Sequence, residues 1–199
     1  MDYVSPTIPD RVDIGRRRHS TTGEYLYAVA YWLPANSKLV EIGCLHGQST
    51  VLLTLACAES DANSGLSGKT MQTIDDFSNE GDKLSDSPSP EDMARRKKEV
   101  LDRLNNWQLM PWFRGVNLMK SQAWFEKHPE QDVDFFFVDG CHLLAGYDTL
   151  ECWKRLKPGG IILVKAYDKD HPIIRHDVDA LRLPGQSVLD YYYRLDKPR

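Results

Sequence analysis

Short apolar runs alternate along the chain with longer stretches in which apolar residues recur every three or four positions. The short runs are typical of buried strands, and the longer pattern is typical of amphipathic helices. Strands are predicted at 38–42, 70–74, 112–115, 133–138, 161–164 and 188–194. Helices are predicted at 21–33, 50–58, 91–106, 121–127, 146–156 and 172–181. This alternation predicts an α/β protein with a largely parallel sheet and helices on both faces.

Two polar stretches interrupt the pattern. Residues 60–69 are rich in Ser, Gly, Asn and Asp, which predicts a surface loop. Residues 78–90 contain one glycine and two prolines, Pro88 and Pro90, and follow directly after a predicted strand end. The second stretch is interpreted either as a lid over that strand end or as an ordinary solvent-exposed loop.

Length and composition indicate one soluble domain. A chain of 199 residues, 41% of them hydrophobic, can bury one substantial core. We expect a single domain over 1–199, with an N-terminal cap segment at 1–37 and an α/β core at 38–199. The net charge of −4 argues against a nucleic-acid surface, and the basic cluster at 16–19 either meets an anionic substrate or is solvated.

Cysteine usage and hydropathy bear on the compartment. The four cysteines form no C-x-x-C pair and no metal-finger spacing, which favours reduced thiols. No apolar run approaches the length of a membrane span, and the first residues contain no apolar signal core. We therefore expect a cytoplasmic protein without membrane or nucleic-acid partners.

A glycine loop joins the first predicted core strand to the helix that follows it. Gly43 and Gly47 allow the backbone to approach a ligand closely, and the helix N-terminus presents free N–H groups. A dinucleotide fingerprint would need a second glycine where Leu45 stands and an acidic residue about 20 positions further on. Here Asp75 lies 28 positions after Gly47, and no P-loop pattern is present. The loop therefore favours a different nucleotide-like cofactor.

Three further motifs follow in order along the chain. They are Glu41-Ile42-Gly43, Asp139-Gly140-Cys141-His142 and Lys157-Pro158-Gly159-Gly160. Over roughly 39–181, this set resembles the Rossmann-like (class I) S-adenosylmethionine-dependent methyltransferases. The resemblance implies a mostly parallel sheet of six to seven strands, S-adenosylmethionine as cofactor, and methyl transfer to a small-molecule acceptor, with oxygen as the expected acceptor atom.

The resemblance also implies a cofactor site. Gly43 and Gly47 would admit the methionine end, Glu41 would lie beneath the loop, and Asp75 would accept the ribose hydroxyls, with Asp76 as the alternative. The expected cofactor-binding residues are Glu41, Gly43, Cys44, Gly47, Gln48, Ser49, Thr50, Asp75, Asp76 and Asp139. Each also has a structural interpretation, since glycines occur in turns and aspartates cap helices.

His142 and Asp139 are the candidate catalytic residues. His142 could accept a proton from the acceptor, or could be a structural histidine. Asp139 would supply negative charge near the sulfonium. Asp139 and Asp168 could instead hold a divalent cation. Related chains often carry His-Asp-Tyr where this chain reads Lys165-Ala166-Tyr167, so a cation is possible but not favoured.

The C-terminal segment is short for the fold implied by the resemblance. Two antiparallel strands usually close such a sheet, and only residues 186–197 remain to form them. One strand is encoded, and we expect the second to be absent or very short. An incomplete edge covered by a second subunit would make a homodimer. The alternative function is a non-catalytic binding or regulatory module that retains the fold.

Overall fold

Nine strands and six helices alternate along the part of the chain that the structure describes. The structure, a computed structural model, describes residues 21–66, 68–80, 83–84 and 89–199. The strands are β1 (Lys38–Ile42), β2 (Thr70–Ile74), β3 (Asn79–Glu80), β4 (Lys83–Leu84), β5 (Phe113–Asn117), β6 (Val133–Val138), β7 (Leu156–Lys165), β8 (Gly185–Val188) and β9 (Tyr192–Asp196). The helices are α1 (Thr21–Tyr31), α2 (Gln48–Ser64), α3 (Pro90–Asn106), α4 (Ser121–Lys127), α5 (Ala145–Arg155) and α6 (Pro172–Ala180).

Within the described residues, seven strands form one sheet in the order β5-β2-β1-β6-β7-β9-β8. The five strands from β5 to β7 in that order are parallel, and β9 and β8 are antiparallel to their neighbours. The prediction of a mostly parallel sheet of six to seven strands with helices on both faces is confirmed. Because parallel strands end at the same edge, the loops that follow β1, β2, β5, β6 and β7 are brought together.

The core lies on both faces of this sheet. Phe135 and Phe137 of β6 pack into the cluster formed with α1, α2 and α3, while Phe136 packs into the cluster formed with α4, α5 and α6. Successive side chains of a strand point to opposite faces, so a strand covered on both sides is continuously apolar. This is why the run at 133–138 is the clearest strand of the sequence.

The prediction of a surface loop at 60–69 is wrong for its first half, because α2 continues to Ser64. Asp61 is buried, and its Oδ2 accepts hydrogen bonds from the Gly68 N–H (3.0 Å) and the Trp112 Nε1–H (3.0 Å). Ser60 Oγ accepts a hydrogen bond from Lys69 Nζ at 2.6 Å. These tertiary contacts offset the weak helix propensity of Ser, Asp and Asn.

The second C-terminal strand, which we expected to be absent or very short, is present and short. β8 has 4 residues and pairs along its whole length with β9, which pairs in turn with β7. The expected strand at 188–194 therefore contains a hairpin turn, in which Leu189 and Asp190 have positive φ angles. The sheet edge on which the expected homodimer rested is filled by the chain itself.

Two other predictions concern residues that are only partly described. The basic cluster at 16–19 lies outside the described residues. The stretch at 78–90, interpreted as a lid or as an ordinary loop, includes the two-residue strands β3 and β4, which pair antiparallel, and the remainder of that stretch is mostly outside the described residues. Among the helices that are described, none has the length and apolar composition needed to cross a membrane.

Candidate functional site

A cleft of about 460 Å³ opens at the carboxyl edge of the parallel strands. Its walls are the loop after β1, the end of β2 with Asp75 and Asp76, the segment at 119–122 after β5, and the segment at 139–144 after β6. Asp148 of α5 and Lys165 of β7 also line it. The cleft lies where the strand order reverses between β1 and β6, the usual ligand position in open α/β sheets.

Gly43 lets the loop after β1 approach the end of β6. Its φ angle is 84°, and its N–H donates to the Ile74 carbonyl at 2.9 Å. A Cβ at this position would lie 2.5 Å from the Asp139 carbonyl oxygen and 2.6 Å from the Gly140 Cα. Position 43 therefore requires glycine both for its backbone conformation and for its packing.

Asp75 holds the glycine loop in place. Its Oδ2 accepts hydrogen bonds from the N–H groups of Cys44 (2.7 Å) and Leu45 (2.8 Å), and its Oδ1 accepts one from the Phe77 N–H (2.7 Å). The neighbouring Asp76 uses Oδ1 for the Ser78 N–H (3.1 Å) and hydroxyl (2.6 Å). Within the described residues, Asp76 Oδ2 has no such contact, so Asp76 is the carboxylate better placed to receive a ligand.

Glu41 lies behind the loop and is fully buried. Its Oε2 accepts a hydrogen bond from the Thr50 hydroxyl at 2.5 Å, and its Oε1 has no hydrogen-bond partner among the described atoms. Burial raises the pKa of Glu41 to about 7, opposed by hydrogen bonds from Ser49 and Thr50 and reinforced by the charge of Asp139. Glu41 thus connects β1 to the first turn of α2.

The other predicted loop residues divide between the cleft and the packing behind it. Cys44, Gln48 and Ser49 line the cleft, while Thr50 is buried against Glu41. A Cβ at Gly47 would meet both methyl groups of Val100 at 3.1 Å, so Gly47 contacts α3. The predicted cofactor-binding residues thus lie around one loop, some of them lining the cleft and the others packed behind the loop.

Asp139 and Lys165 form an ion pair in the cleft. Asp139 Oδ1 accepts a hydrogen bond from Lys165 Nζ, and both side chains are mostly buried. Lys165 ends β7, and Asp139 directly follows the adjacent strand β6, which brings the two residues side by side. Lys165 was not predicted as a site residue, although the sequence departs from the related pattern at this position.

His142 lines the cleft, and its ring packs edge-to-face against that of His171 with 5.0 Å between centroids. Asp168 Oδ1 lies 2.9 Å from His171 Nδ1 and accepts the Asp170 N–H at 2.8 Å. Asp168 therefore contacts the loop after β7 and not Asp139.

The candidate metal ligands do not fit a divalent cation in this arrangement. Asp139 already neutralises Lys165, and Asp168 already accepts hydrogen bonds from His171 and Asp170. Over the described ranges of the chain, no group of three or more His, Cys, Asp or Glu side chains has a geometry that could hold a metal ion. Oxygen-rich sites for such cations usually gather several ligands.

Asp148 and Ser121 are further cleft residues that the sequence did not reveal. Asp148 is buried, and its Oδ1 accepts a hydrogen bond from the Ser121 hydroxyl at 2.6 Å. Burial raises the pKa of Asp148 to about 7, and the hydrogen bond from Ser121 opposes this change. The sequence offered one signal for Asp148, which is an acidic residue at a buried position of α5.

The strand order, the glycine loop after β1 and the cleft at the carboxyl edge define a Rossmann-like α/β protein of the methyltransferase class. A family model described as a methyltransferase domain matches residues 40–167. This match covers more than half of the chain, and the chain belongs to that family. None of the curated proteins matches this chain.

Solved structures with a similar fold include several methyltransferases. Cofactor-bound Rv0187 from MTB has a TM-score of 0.66 at 15% identity, over 90% of this chain and 81% of that chain. The O-methyltransferase TomG from Streptomyces achromogenes, involved in tomaymycin synthesis and solved with SAM, has a TM-score of 0.60 at 17% identity, over 88% and 79%. An O-methyltransferase from Bacillus cereus, solved with SAH, has a TM-score of 0.59 at 17% identity, over 89% and 81%.

Proposed function

We propose that this protein transfers the methyl group of S-adenosylmethionine to an oxygen atom of a small-molecule acceptor. Membership of the methyltransferase-domain family supports the reaction class. The similar fold of O-methyltransferases solved with S-adenosylmethionine or S-adenosylhomocysteine supports the cofactor and the acceptor atom. The observation that carries the proposal is the glycine loop after β1, which Asp75 fixes against the cleft and next to Asp76.

The residues of the cleft fit this cofactor. Gly43 keeps the loop close to β6, and the first turn of α2 presents Gln48 and Ser49 to the cleft, so this end suits the carboxylate of the methionine part. Asp76 is suited to the ribose hydroxyls, since one of its oxygens faces no described donor. The carboxylates of Asp75 and Asp76 line the same cleft, which suits a cationic ligand.

The bound cofactor would supply a methyl group on a positively charged sulfur, which leaves as a neutral thioether when oxygen takes the methyl group. The protein has to hold the two reactants in line and exclude water. His142 lies at the cleft wall, where its imidazole can accept the proton of the acceptor hydroxyl. Asp139 acts on this chemistry through its contact with Lys165.

Other features support a small acceptor in a reducing compartment. A net charge of −4 disfavours a nucleic-acid substrate. All four cysteines are free thiols, which agrees with the expected cytoplasmic location. The β8–β9 hairpin removes the reason given for expecting a homodimer, and the homodimer itself stays an untested prediction.

The proposal is tested by turnover. The protein is incubated with S-adenosylmethionine carrying a deuterated methyl group and with separate panels of phenols, enols, carboxylic acids and alkanols. We expect S-adenosylhomocysteine and an oxygen-bound deuterated methyl group, detected by mass spectrometry, with at least one panel. Binding of the cofactor without product from any panel would contradict the proposal and favour the non-catalytic module.

A further inference from the structure

Lys165 places a positive charge in the cleft at the end of β7. Its side chain is 15% exposed, and that of its partner Asp139 is 14% exposed. Both residues line the cleft. Removing a lysine from water is costly, and a single carboxylate partner only partly offsets this cost. Because this partly buried lysine is costly for folding stability, its place at the cleft wall indicates a role in ligand binding or catalysis.

The ammonium group has hydrogen-bonding capacity beyond this ion pair. A lysine Nζ carries three N–H donors. One is directed to Asp139 Oδ1, the contact that the structure gives for this ammonium group among the described residues. The remaining donors can therefore meet an oxygen atom of a ligand in the cleft.

Lys165 pairs with one of the two carboxylates that were considered as ligands of a divalent cation. Asp139 and Asp168 follow adjacent parallel strands, but Lys165 pairs with the first and His171 with the second. A divalent cation bound to Asp139 would have to displace the ammonium group or lie beside it, and two cations at that distance repel strongly. Lys165 already supplies positive charge there.

We infer that Lys165 contacts the acceptor oxygen and stabilises its ionised form, in the place that a divalent cation would take. This inference rests on the proposed function. When the acceptor O–H bond breaks, both electrons stay on the oxygen beside Lys165, and the proton passes to the imidazole of His142 in the same cleft. The oxygen then has an available lone pair for the methyl group.

This arrangement also narrows the acceptor class. Asp139 neutralises part of the ammonium charge, so the stabilisation of an oxyanion is smaller than that from a divalent cation. The anion of a weakly acidic hydroxyl needs less stabilisation by the protein than the anion of an alkanol. The inference therefore assigns phenolic or enolic hydroxyls as the acceptors.

The test uses an optical probe and needs no turnover. 4-Nitrophenol and 4-nitrocatechol absorb at longer wavelength when ionised, and each is titrated with pH in the presence of the protein saturated with S-adenosylhomocysteine. We expect the bound dye to ionise at a pH at least about one unit lower than the free dye, which is a tenfold change in its ionisation constant. Lys165→Met should abolish this shift, and Lys165→Arg should retain part of it.

The controls separate this inference from the proposed function. Lys165→Met should bind S-adenosylhomocysteine with an affinity within about threefold of that of the unaltered protein. A loss of affinity of about tenfold would correspond to the loss of a whole charged contact with the cofactor. If Lys165→Met does not fold, Lys165→Gln, which keeps a hydrogen-bond donor beside Asp139 but carries no charge, takes its place. Failure of the unaltered protein to bind S-adenosylhomocysteine would contradict the proposed function itself.

Three results would overturn the inference while leaving the proposed function intact. One is a normal dye shift in the folded Lys165→Met or Lys165→Gln variant. Another is that neither dye binds to the complex with S-adenosylhomocysteine. The third is a further dye shift on adding Mg²⁺ that EDTA reverses, since the inference predicts an unchanged spectrum.

Discussion

Asp75 and Asp76 are neighbours in the chain, yet their carboxylates have different hydrogen-bond partners. Asp75 accepts three backbone N–H groups, from Cys44, Leu45 and Phe77. Asp76 accepts hydrogen bonds from Ser78 through Oδ1 and lines the cleft. We therefore expect the Asp75 carboxylate to stabilise the loop and the Asp76 carboxylate to bind the ligand.

Asparagine substitutions at these two positions should affect different properties, folding stability at Asp75 and cofactor binding at Asp76. Asp75→Asn replaces an accepting oxygen by an amide donor, so we expect a loss of about 1–3 kcal/mol in the free energy of unfolding. Asp76→Asn should leave that free energy almost unchanged and weaken S-adenosylmethionine binding by about tenfold or more, as loss of one charged hydrogen bond does. Urea denaturation and calorimetry measure the two quantities. A stable Asp75→Asn protein together with a destabilised Asp76→Asn protein would reverse the assignment.

Glu41 predicts how stability depends on pH. Its pKa is raised from 4.5 to about 7 by burial, so between these values the folded state binds a proton that the unfolded state has released. The free energy of unfolding should therefore fall as the pH rises from about 4.5 to 7, by up to about 3 kcal/mol, and level off above.

The Glu41→Gln variant isolates this contribution. It should show a smaller fall over the same window, but not a flat profile, because Asp148 also has a pKa raised to about 7. Glu130→Gln, at an exposed position, serves as the matched control and should keep the full slope. Equal slopes in Glu41→Gln and in the unaltered protein would show that Glu41 is ionised throughout this window.

Individual contacts were the least predictable part of the site. Sequence motifs predicted that Glu41, Gly43, Asp75 and Asp139 gather near one loop. Gly43, Asp75 and Asp139 line the cleft, and Glu41 is buried behind that loop. The motifs did not predict that Asp75 contacts the backbone or that Asp139 contacts Lys165. Such pairings depend on distances between strand ends, which one sequence without relatives does not encode in a readable form.

Among the elements, the turn between β1 and α2 depends most strictly on glycine. Gly43→Ala would force a residue with φ of 84° to carry a Cβ that lies 2.5 Å from the Asp139 carbonyl oxygen. Gly65, at the end of α2, has a similar φ of 66° but nothing within 4 Å of the added Cβ. An alanine at position 65 would therefore add backbone strain alone, whereas an alanine at position 43 would add both backbone strain and steric overlap.

We expect Gly65→Ala to cost about 1–2 kcal/mol, the cost of the left-handed conformation. Gly43→Ala should cost roughly 1–3 kcal/mol more, because overpacking adds to that strain. Only Gly43→Ala should also weaken S-adenosylmethionine binding. Denaturation curves and calorimetry of both variants test this, and similar losses of stability and affinity in the two proteins would show that the close approach to β6 does not matter.

The ends of elements were harder to predict than their existence. The strands at 38–42, 70–74 and 133–138 were predicted with the bounds that the structure has, because their apolar runs end abruptly in glycine or acidic residues. The end of α2 was missed, since Ser60 and Asp61 resemble loop residues until their contacts with Lys69, Gly68 and Trp112 are known. Tertiary hydrogen bonds decided that boundary.

For the molecule as a whole, alternating patterns were enough to predict the layered sheet. The C-terminal hairpin was missed because β8 is exposed along most of its length and lacks an apolar pattern. Its pairing with β9 comes from backbone hydrogen bonds and from a turn at Leu189 and Asp190. Predicting that strand required knowing that β9 leaves an open edge beside it.

The central claim is that the cleft after β1 binds S-adenosylmethionine. The most direct test is calorimetric titration of the purified protein with S-adenosylmethionine, S-adenosylhomocysteine and NAD in parallel. We predict binding of the first two at micromolar or lower concentration and no heat with NAD. Binding of NAD alone, or no binding of any of the three, would contradict the account.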